Sequence, residues 1–494
     1  MRGTRTTTGL YAVILASVLA VMSCGGAGAQ GTSDSYAVPA VREPLTSDSA
    51  SPVVHDNEVM ALAAHAGRLF AATDQWEYRG PSAYGQVLVK DSSSSPWRVF
   101  EQTQSSRVQA LDSFPVPADQ GLGPGHSLLI TQAIIDGRSR IQWLLDGATS
   151  FTPASSYALP STADAVRSFG ANESDGVWSV YAGDSPAGVL RGTWSRARHT
   201  LVFGGTPELA AAPPGSPGLK TQKITGFADC GGALYVTINT KLYRRNDGAL
   251  PSGPAPWVLV YQEPPVGAFN SGLRGLSCVR HGGAPALLLS TEGSGDVYRI
   301  DRLPHGQLDV SATAAPGDGL AGLAGLTPVL EFAPVPSIRR MLASEGAQVP
   351  ASGNGSIGYV IAAYNDFTTM KIGGAVRQLF GFEWGYQGEC PQAARCGPVA
   401  FNSMHFGASA CFAVRTDNGT SQAYTLRCLG GPDFTPAGEA GNPVRPGQAF
   451  VSIRDIRPSP FGDGRLYYAG YDCNFYPADG TAWAGSSTLT ALRL

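Results

Sequence analysis

Charge is scarce in this chain. Of its 494 residues only 15% are Asp, Glu, Lys or Arg, 38 acidic against 35 basic, for a formal net charge of −3. Such a balance leaves no clustered basic face, and nucleic acid is therefore excluded as a partner. The seven histidines are scattered and no two cysteines stand in a Cys-x-x-Cys spacing, which argues against a zinc site. No Gly-x-Ser-x-Gly elbow, His-Glu-x-x-His helix or phosphate-binding loop occurs, so the common catalytic signatures are missing and no cofactor is expected. Beyond the first residues, no stretch is apolar for long enough, without Gly, Pro or charge, to cross a bilayer as a helix. What is abundant is 62 Gly and 36 Pro, a composition of many turns and few long amphipathic helices.

Residues 1–23 have the parts of an export signal: Arg2 and Arg5, an apolar run from Leu10 to Met22, and the small Ser23 before Cys24. The segment Val21-Met22-Ser23-Cys24 resembles a bacterial lipobox. The resemblance implies cleavage before Cys24, lipid on its sulfur and anchoring to a membrane, since each buried acyl methylene contributes about 0.8 kcal/mol. Ordinary secretion, with cleavage near Ala27 to Gln30, is the alternative. Residues 24–51 then read as the lipidated cysteine and a polar tether, too poor in large apolar groups to bury much surface. Residues 52–494 form the remaining domain, expected in the bacterial cell envelope on its extracytoplasmic side.

Seven cysteines follow Cys24, and in an exported chain they read first as disulfides. Cys411 and Cys428 flank Asp417-Asn418-Gly419-Thr420, a hairpin signal. A turn on Gly419-Thr420 sets the two thiols directly opposite; a turn on Asn418-Gly419 sets them one diagonal apart. Cys390 and Cys396 share one loop, Cys230 and Cys278 fall at nearly the same point of successive repeats, and Cys473 is left over.

Internal repetition carries most of the information. A phrase of large apolar, any, usually small, large apolar occurs at Val59–Leu62, Val108–Leu111, Val166–Phe169, Ile224–Phe227, Leu273–Leu276, Leu323–Leu326, Phe401–Met404 and Ile453–Ile456. The starts are 49, 58, 58, 49, 50, 78 and 52 residues apart, the length of one four-stranded blade with one large insertion. A Gly-containing turn and a second apolar run follow, as in Leu69–Thr73, Val177–Tyr181, Leu234–Thr237, Leu287–Thr291 and Leu466–Gly470. Short β-branched and aromatic runs suit inner strands covered on both faces. Such units bury both faces only by stacking, and radial stacking removes long exposed edges. The expected fold is all-β, a β-propeller of about eight four-stranded blades, with seven as runner-up. The final repeat shows three strands, and residues 36–55 are candidates for its missing outer strand.

Leu242-Tyr243-Arg244, a Gly-rich turn and Trp257-Val258-Leu259 together look like the sialidase-like and Asp-box propellers. Asp91 to Trp97 departs from the Ser-x-Asp-x-Gly-x-x-Trp order and the Arg-Ile-Pro signature is absent, so the resemblance implies architecture and not activity.

In a propeller the first strand of each blade faces the axis, so the phrase positions are where polar groups from distant repeats converge. The second position holds Arg167, Arg274 and Arg454, with Arg107 and Lys223 just before the phrase in two other repeats. Guanidiniums facing one cavity would bind a carboxylate or sulfate bidentately; the alternative is pairing with neighbouring acids such as Asp455. The last hairpin would set Arg454-Asp455-Ile456-Arg457 beside Tyr471, Asp472, Cys473 and Asn474. A second cluster is Tyr364-Asn365-Asp366 with Glu383, Trp384 and His405, where Trp384 could stack on a sugar and Glu383 act as acid or base. Arg339 to Ile357 reads as the longest irregular loop. The readings are a membrane-anchored module binding a glycan or other extracellular partner, a hydrolase or lyase for an acidic carbohydrate with Asp455, Asp472 or Glu383 moving protons, and an envelope scaffold exposing a large apolar patch.

Overall fold

The computed structural model describes residues 58–74, 85–159, 166–174, 176–185, 187–210, 223–247, 257–263, 272–306, 308, 326–344, 346–391, 410–429 and 452–470, and the backbone alone at 35–39, 41–44, 396–400, 404–407, 430, 471 and 483–488. Cys24, Asp472, Cys473 and Asn474, the first phrase residues at Leu323 and Phe401, and most of the tether lie outside them.

Short apolar runs between Gly turns become antiparallel strands, each paired with the next. Ile224–Cys230, Ala233–Ile238, Lys241–Arg245 and Trp257–Gln262 form one such sheet, in which spatial order equals chain order. Its first turn is made by Gly231 and Gly232, at φ 63° and 80°, values that cost a side chain about 1–2 kcal/mol and glycine nothing. Every residue of Ala233–Ile238 is buried, as a strand sandwiched between neighbouring sheets must be. Leu273, Leu276 and Leu289 of the following sheet pack on Tyr235, Leu242 and Val258 of this one. The disulfide Cys230–Cys278 staples the same two sheets, with Cα atoms 5.2 Å apart.

The first strands stand side by side: Val166–Ser174 against Ile224–Cys230, that strand against Gly272–His281, and Glu58–His65 against both Leu111–Pro115 and Ser452–Pro458. Each sheet thus presents its first strand to its neighbours', the radial stacking of a propeller.

The described strands make six sheets, not the eight expected nor the runner-up seven. Two things lower the count. The first and last repeats share one eight-stranded sheet, joined at the single pair Glu58–Tyr471. After the Leu323 phrase, Pro328–Phe332 completes the sheet of the preceding repeat, and the chain from Ile357 to Gly430, with Ser35–Pro39, makes a second eight-stranded sheet in which Ile357–Ala362 and Thr368–Ile372 both pair with Ala375–Tyr386. Ile357–Ala362 follows an α-helix, Pro334–Ser344, which takes in the start of the loop expected from Arg339 to Ile357, while 346–356 are irregular. Its prolines fall in the first turn, where the missing N–H costs no helical bond, and Ile338, Met341 and Leu342 bury one face.

The last repeat receives its outer strand from Val41–Pro44, which pairs with Trp483–Thr488, while Ser35–Pro39 runs parallel to Gln422–Gly430 on the other large sheet. Both strands lie in the stretch whose composition suggests a tether. Cys411 and Cys428 stand directly opposite in their hairpin and are bonded, which selects the Gly419-Thr420 turn. Cys390 is disulfide-bonded as well.

Candidate axial site

The structure sorts the three arginines of the second phrase position. Arg454 forms ion pairs with Glu58, Nε at 2.7 Å, and with Glu383, Nη2 at 2.9 Å. Arg274 meets Glu292 at 2.6 Å, and Lys223 reaches the same carboxylate at 3.3 Å. Arg107 pairs with Asp74 at 3.1 Å. Tyr364 lies between the guanidiniums of Arg274 and Arg454, 4.3 and 3.9 Å from its ring centroid, a doubled cation–π contact. Burial opposes ionisation of its hydroxyl, but Arg274, Arg454 and Arg167 outweigh burial and hold it below the usual phenol range. Arg274 and Arg454 are therefore structural groups, neutralised where ligand anchors were expected.

Arg167 differs. It shares the layer of Arg274, yet has no ion pair among the described residues and lines an axial cavity of about 290 Å³. Burial lowers its pKa, and the like charges of Arg274 and Arg107 lower it further, while Tyr364 and Glu292 act the other way. The same cavity is lined by Gln109, Thr225, Ser277 and Asn365, one from each of four inner segments.

Further along the channel a second polar layer gathers around Arg457. Its guanidinium meets Asp366 at 2.8 Å and Asp455 at 2.9 Å and donates from Nε to the Leu62 carbonyl. Asp455 accepts the Leu62 and Ile456 N–H groups, so its partner is Arg457 and not Arg454. Burial pushes Asp455 up to about 8, Arg457 pulls against this, and Asp366 adds to it. Asp112 also lines the cavity, accepts the Phe169 N–H, and has no ion pair among the described residues. Burial raises it to about 6, Arg457 pulls against this, and Asp366 adds to it. Three carboxylates against one guanidinium cannot all stay ionised out of water, so this end takes up a proton near neutral pH.

The remaining expectations divide. Glu383 is fully buried, bonded to Arg454 and to the Tyr359 hydroxyl at 3.2 Å, and burial raises its pKa. It is tied into the ion-pair layer rather than aimed at a ligand. Trp384 is 0% exposed in a core with Ile338, Phe382 and Tyr386, so it cannot stack on a sugar. The backbone of His405 pairs with Tyr386, and that of Tyr471 with Ser452 and Glu58; their side chains lie outside the described residues. Glu58, Asp112, Glu292 and Tyr359 were not singled out by the sequence. Glu58 and Asp112 immediately flank copies of the phrase and could have been found by extending it one residue each way. Glu292 and Tyr359 sit outside any repeat position that sequence alone marks.

Fold and site together define the class of protein, an all-β propeller with a polar axial cavity. No family model matches the chain, and no curated protein matches it. Among solved structures it is similar to a protein from Lactobacillus plantarum, at 13% identity over 81% of this chain and 88% of that one, with a TM-score of 0.42. It is also similar to the β-propeller domain of Cps50 (Swd1) from Myceliophteria thermophila, at 10% identity over 85% and 96% of the two chains and a TM-score of 0.41. A GH43_1 enzyme from Xanthomonas citri matches over 51% of this chain and 85% of its own, at 14% identity and a TM-score of 0.25.

Proposed function

We propose that the chain is an extracytoplasmic propeller, held at a bacterial membrane by lipid on Cys24, whose axial cavity binds a small hydroxylated ligand of the glycan type. One observation carries the reading: Gln109, Arg167, Thr225, Ser277, Asn365 and Asp455, spread over 347 residues of chain, line a single cavity. Its volume of about 290 Å³ is at the small end of ligand pockets and suits a single sugar ring. Polar lining of this kind favours hydroxyls, because buried donors and acceptors lose about 1–3 kcal/mol each when left without partners.

The test is thermal unfolding of the whole chain against a panel of monosaccharides. A saturable rise in melting temperature that Gln109→Ala and Asn365→Ala both reduce is the expected result, and no shift with any sugar would remove the reading. The anchor is tested separately: Cys24→Ser should move the protein from the membrane to the soluble fraction, and unchanged fractionation removes the lipid from the account.

A second reading, hydrolysis of an acidic carbohydrate, is favoured by Asp112 and Asp455. Both are carboxyls on the cavity wall that hold a proton at higher pH than usual, as a general acid must. Release of reducing ends from glucuronate- or galacturonate-containing oligosaccharides, lost in Asp112→Asn, is its measurement. The scaffold reading gains no support, since the exposed large hydrophobics among the described residues are Val202, Val329, Leu330 and Val376, too few for a broad apolar face.

A further inference from the structure

Three charged side chains line the axial cavity without an ion pair among the described residues, Arg167, Asp112 and Asp229; Asp229 is exposed and accepts from Asn172, whereas Arg167 and Asp112 are half-buried and have opposite sign. Arg167 stands at the second position of its phrase. Asp112 stands at the position just after its phrase, three places further along. Asp112 accepts the Phe169 N–H, two residues beyond Arg167 on the neighbouring inner strand, so the two charges stand at different heights of the cavity. The groups that perturb each residue tell the same story. Arg167 responds to Tyr364, Arg274, Arg107 and Glu292; Asp112 responds to Arg457 and Asp366.

Every other axial cation of the two layers has a carboxylate at hydrogen-bond distance: Arg107, Lys223, Arg274, Arg454 and Arg457. Against that background, a half-buried guanidinium and a half-buried carboxylate on one cavity wall, each left without a counter-ion, are free to meet the charges of a ligand. Resting on the binding reading above, we propose that the ligand is a zwitterion, with an acid group on Arg167 and an ammonium group on Asp112, set at opposite ends of a compact molecule. An amino sugar that also carries a carboxylate is of this class. Arg167 would hold the acid through two parallel N–H bonds, and Asp112 would take the ammonium as a point charge. The same charge sorting disfavours ligands with two acids or two amines, because one end would then meet its own sign.

The affinity should depend on pH. Asp112, facing Arg457, Asp366 and Asp455, holds a proton below about pH 6 and cannot then pair with an ammonium group. Binding should weaken as pH falls through that value and should release a proton when measured there.

The experiment is isothermal titration of the whole chain with four probes: muramic acid, which carries both groups; N-acetylmuramic acid, which keeps only the acid; glucosamine, which keeps only the amine; and glucose, which has neither. The expected result is at least tenfold tighter binding of muramic acid than of the other three. Arg167→Gln should erase the advantage of the acid, and Asp112→Asn that of the amine. Arg167→Lys, which keeps the charge, should retain part of the affinity, and circular dichroism of each variant shows that it is folded. Glucose binding as tightly as muramic acid would overturn the zwitterion and leave the sugar-binding reading standing. Failure of all four probes and of the wider sugar panel would overturn both.

Discussion

At the scale of single residues, the axis is governed by the cost of burying charge. Arg454 is the clearest case, because one guanidinium pairs with both Glu58 and Glu383 and stacks on Tyr364. Arg454→Ala would leave two buried carboxylates without a cation, and removing one partner of a buried ion pair typically costs about 3–5 kcal/mol. Chemical denaturation should show a loss of that size, with Glu383→Gln alongside it losing less because Glu58 still pairs. Asp112 predicts the opposite sign. Its carboxyl is raised to about 6 from an ordinary value of 3.8, so the native state holds a proton that the unfolded state has given up between those pH values. Its contribution to stability is therefore complete below about pH 4 and is lost as pH rises through 6. Asp112→Asn should match the parent at pH 4 and exceed it by about 3 kcal/mol at pH 7.5. Melting curves at the two pH values check this. The second-position arginines were legible from the repeat alone, but their roles were not. Which arginine stays unpaired depends on Glu58 and Glu292, and Glu292 comes from a second strand whose register with the first no single sequence fixes. The same limit applies to Trp384, whose indole reads equally well as a sugar platform or as core.

At the scale of elements, sequence and structure agree where a strand's two faces are both covered and part where an insertion interrupts the period. The second strands after Gly67, Gly176, Gly232, Gly283 and Gly464 were readable because a turn glycine and a β-branched run coincide. The helix Pro334–Ser344 was not, because two prolines in its first turn look like loop punctuation when the buried face of Ile338, Met341 and Leu342 is unknown. Close approach between neighbouring inner elements sets another constraint. A Cβ on Gly381 would collide with the carbonyl oxygen and side chain of Ile453 in the adjoining sheet. The clash involves backbone and cannot be relieved by a rotamer, so Gly381→Ala should cost about 2 kcal/mol or more. Thermal unfolding measures it, with Gly374→Ala, a φ +82° turn glycine with open space around it, as the control for strain without collision. The hairpin disulfide is local by comparison: Cys411 and Cys428 are 17 residues apart, and closing a loop of that size constrains the unfolded chain by about 3 kcal/mol.

At the scale of the whole molecule, the stacked sheets depend on how the two ends of the chain are joined. The first repeat and the last meet through the backbone pair Glu58–Tyr471, through Asp455 accepting the Leu62 N–H at 2.8 Å, and through Arg457 donating to the Leu62 carbonyl at 3.1 Å. Residues 35–44 add a second join, since Val41–Pro44 completes the last repeat and Ser35–Pro39 adds to the preceding large sheet. Composition could not assign this role, because four or five residues in a Gly-, Ser- and Thr-rich stretch become strand only when an open edge is waiting for them; the three-strand count of the last repeat did point to residues 36–55, where Val41–Pro44 lies. Two truncations separate a tether from a closing strand. A chain beginning at residue 31 keeps both strands and should melt like the whole chain. A chain beginning at residue 52 exposes the edges of Trp483–Thr488 and Gln422–Gly430. It should melt at lower temperature and aggregate, because unpaired edges template association. Adding the 31–51 segment back as a peptide should restore part of the melting temperature. Equal melting temperatures for the two truncations would show that residues 35–44 act as a tether, with closure left to the Asp455, Arg457 and Glu58 contacts alone.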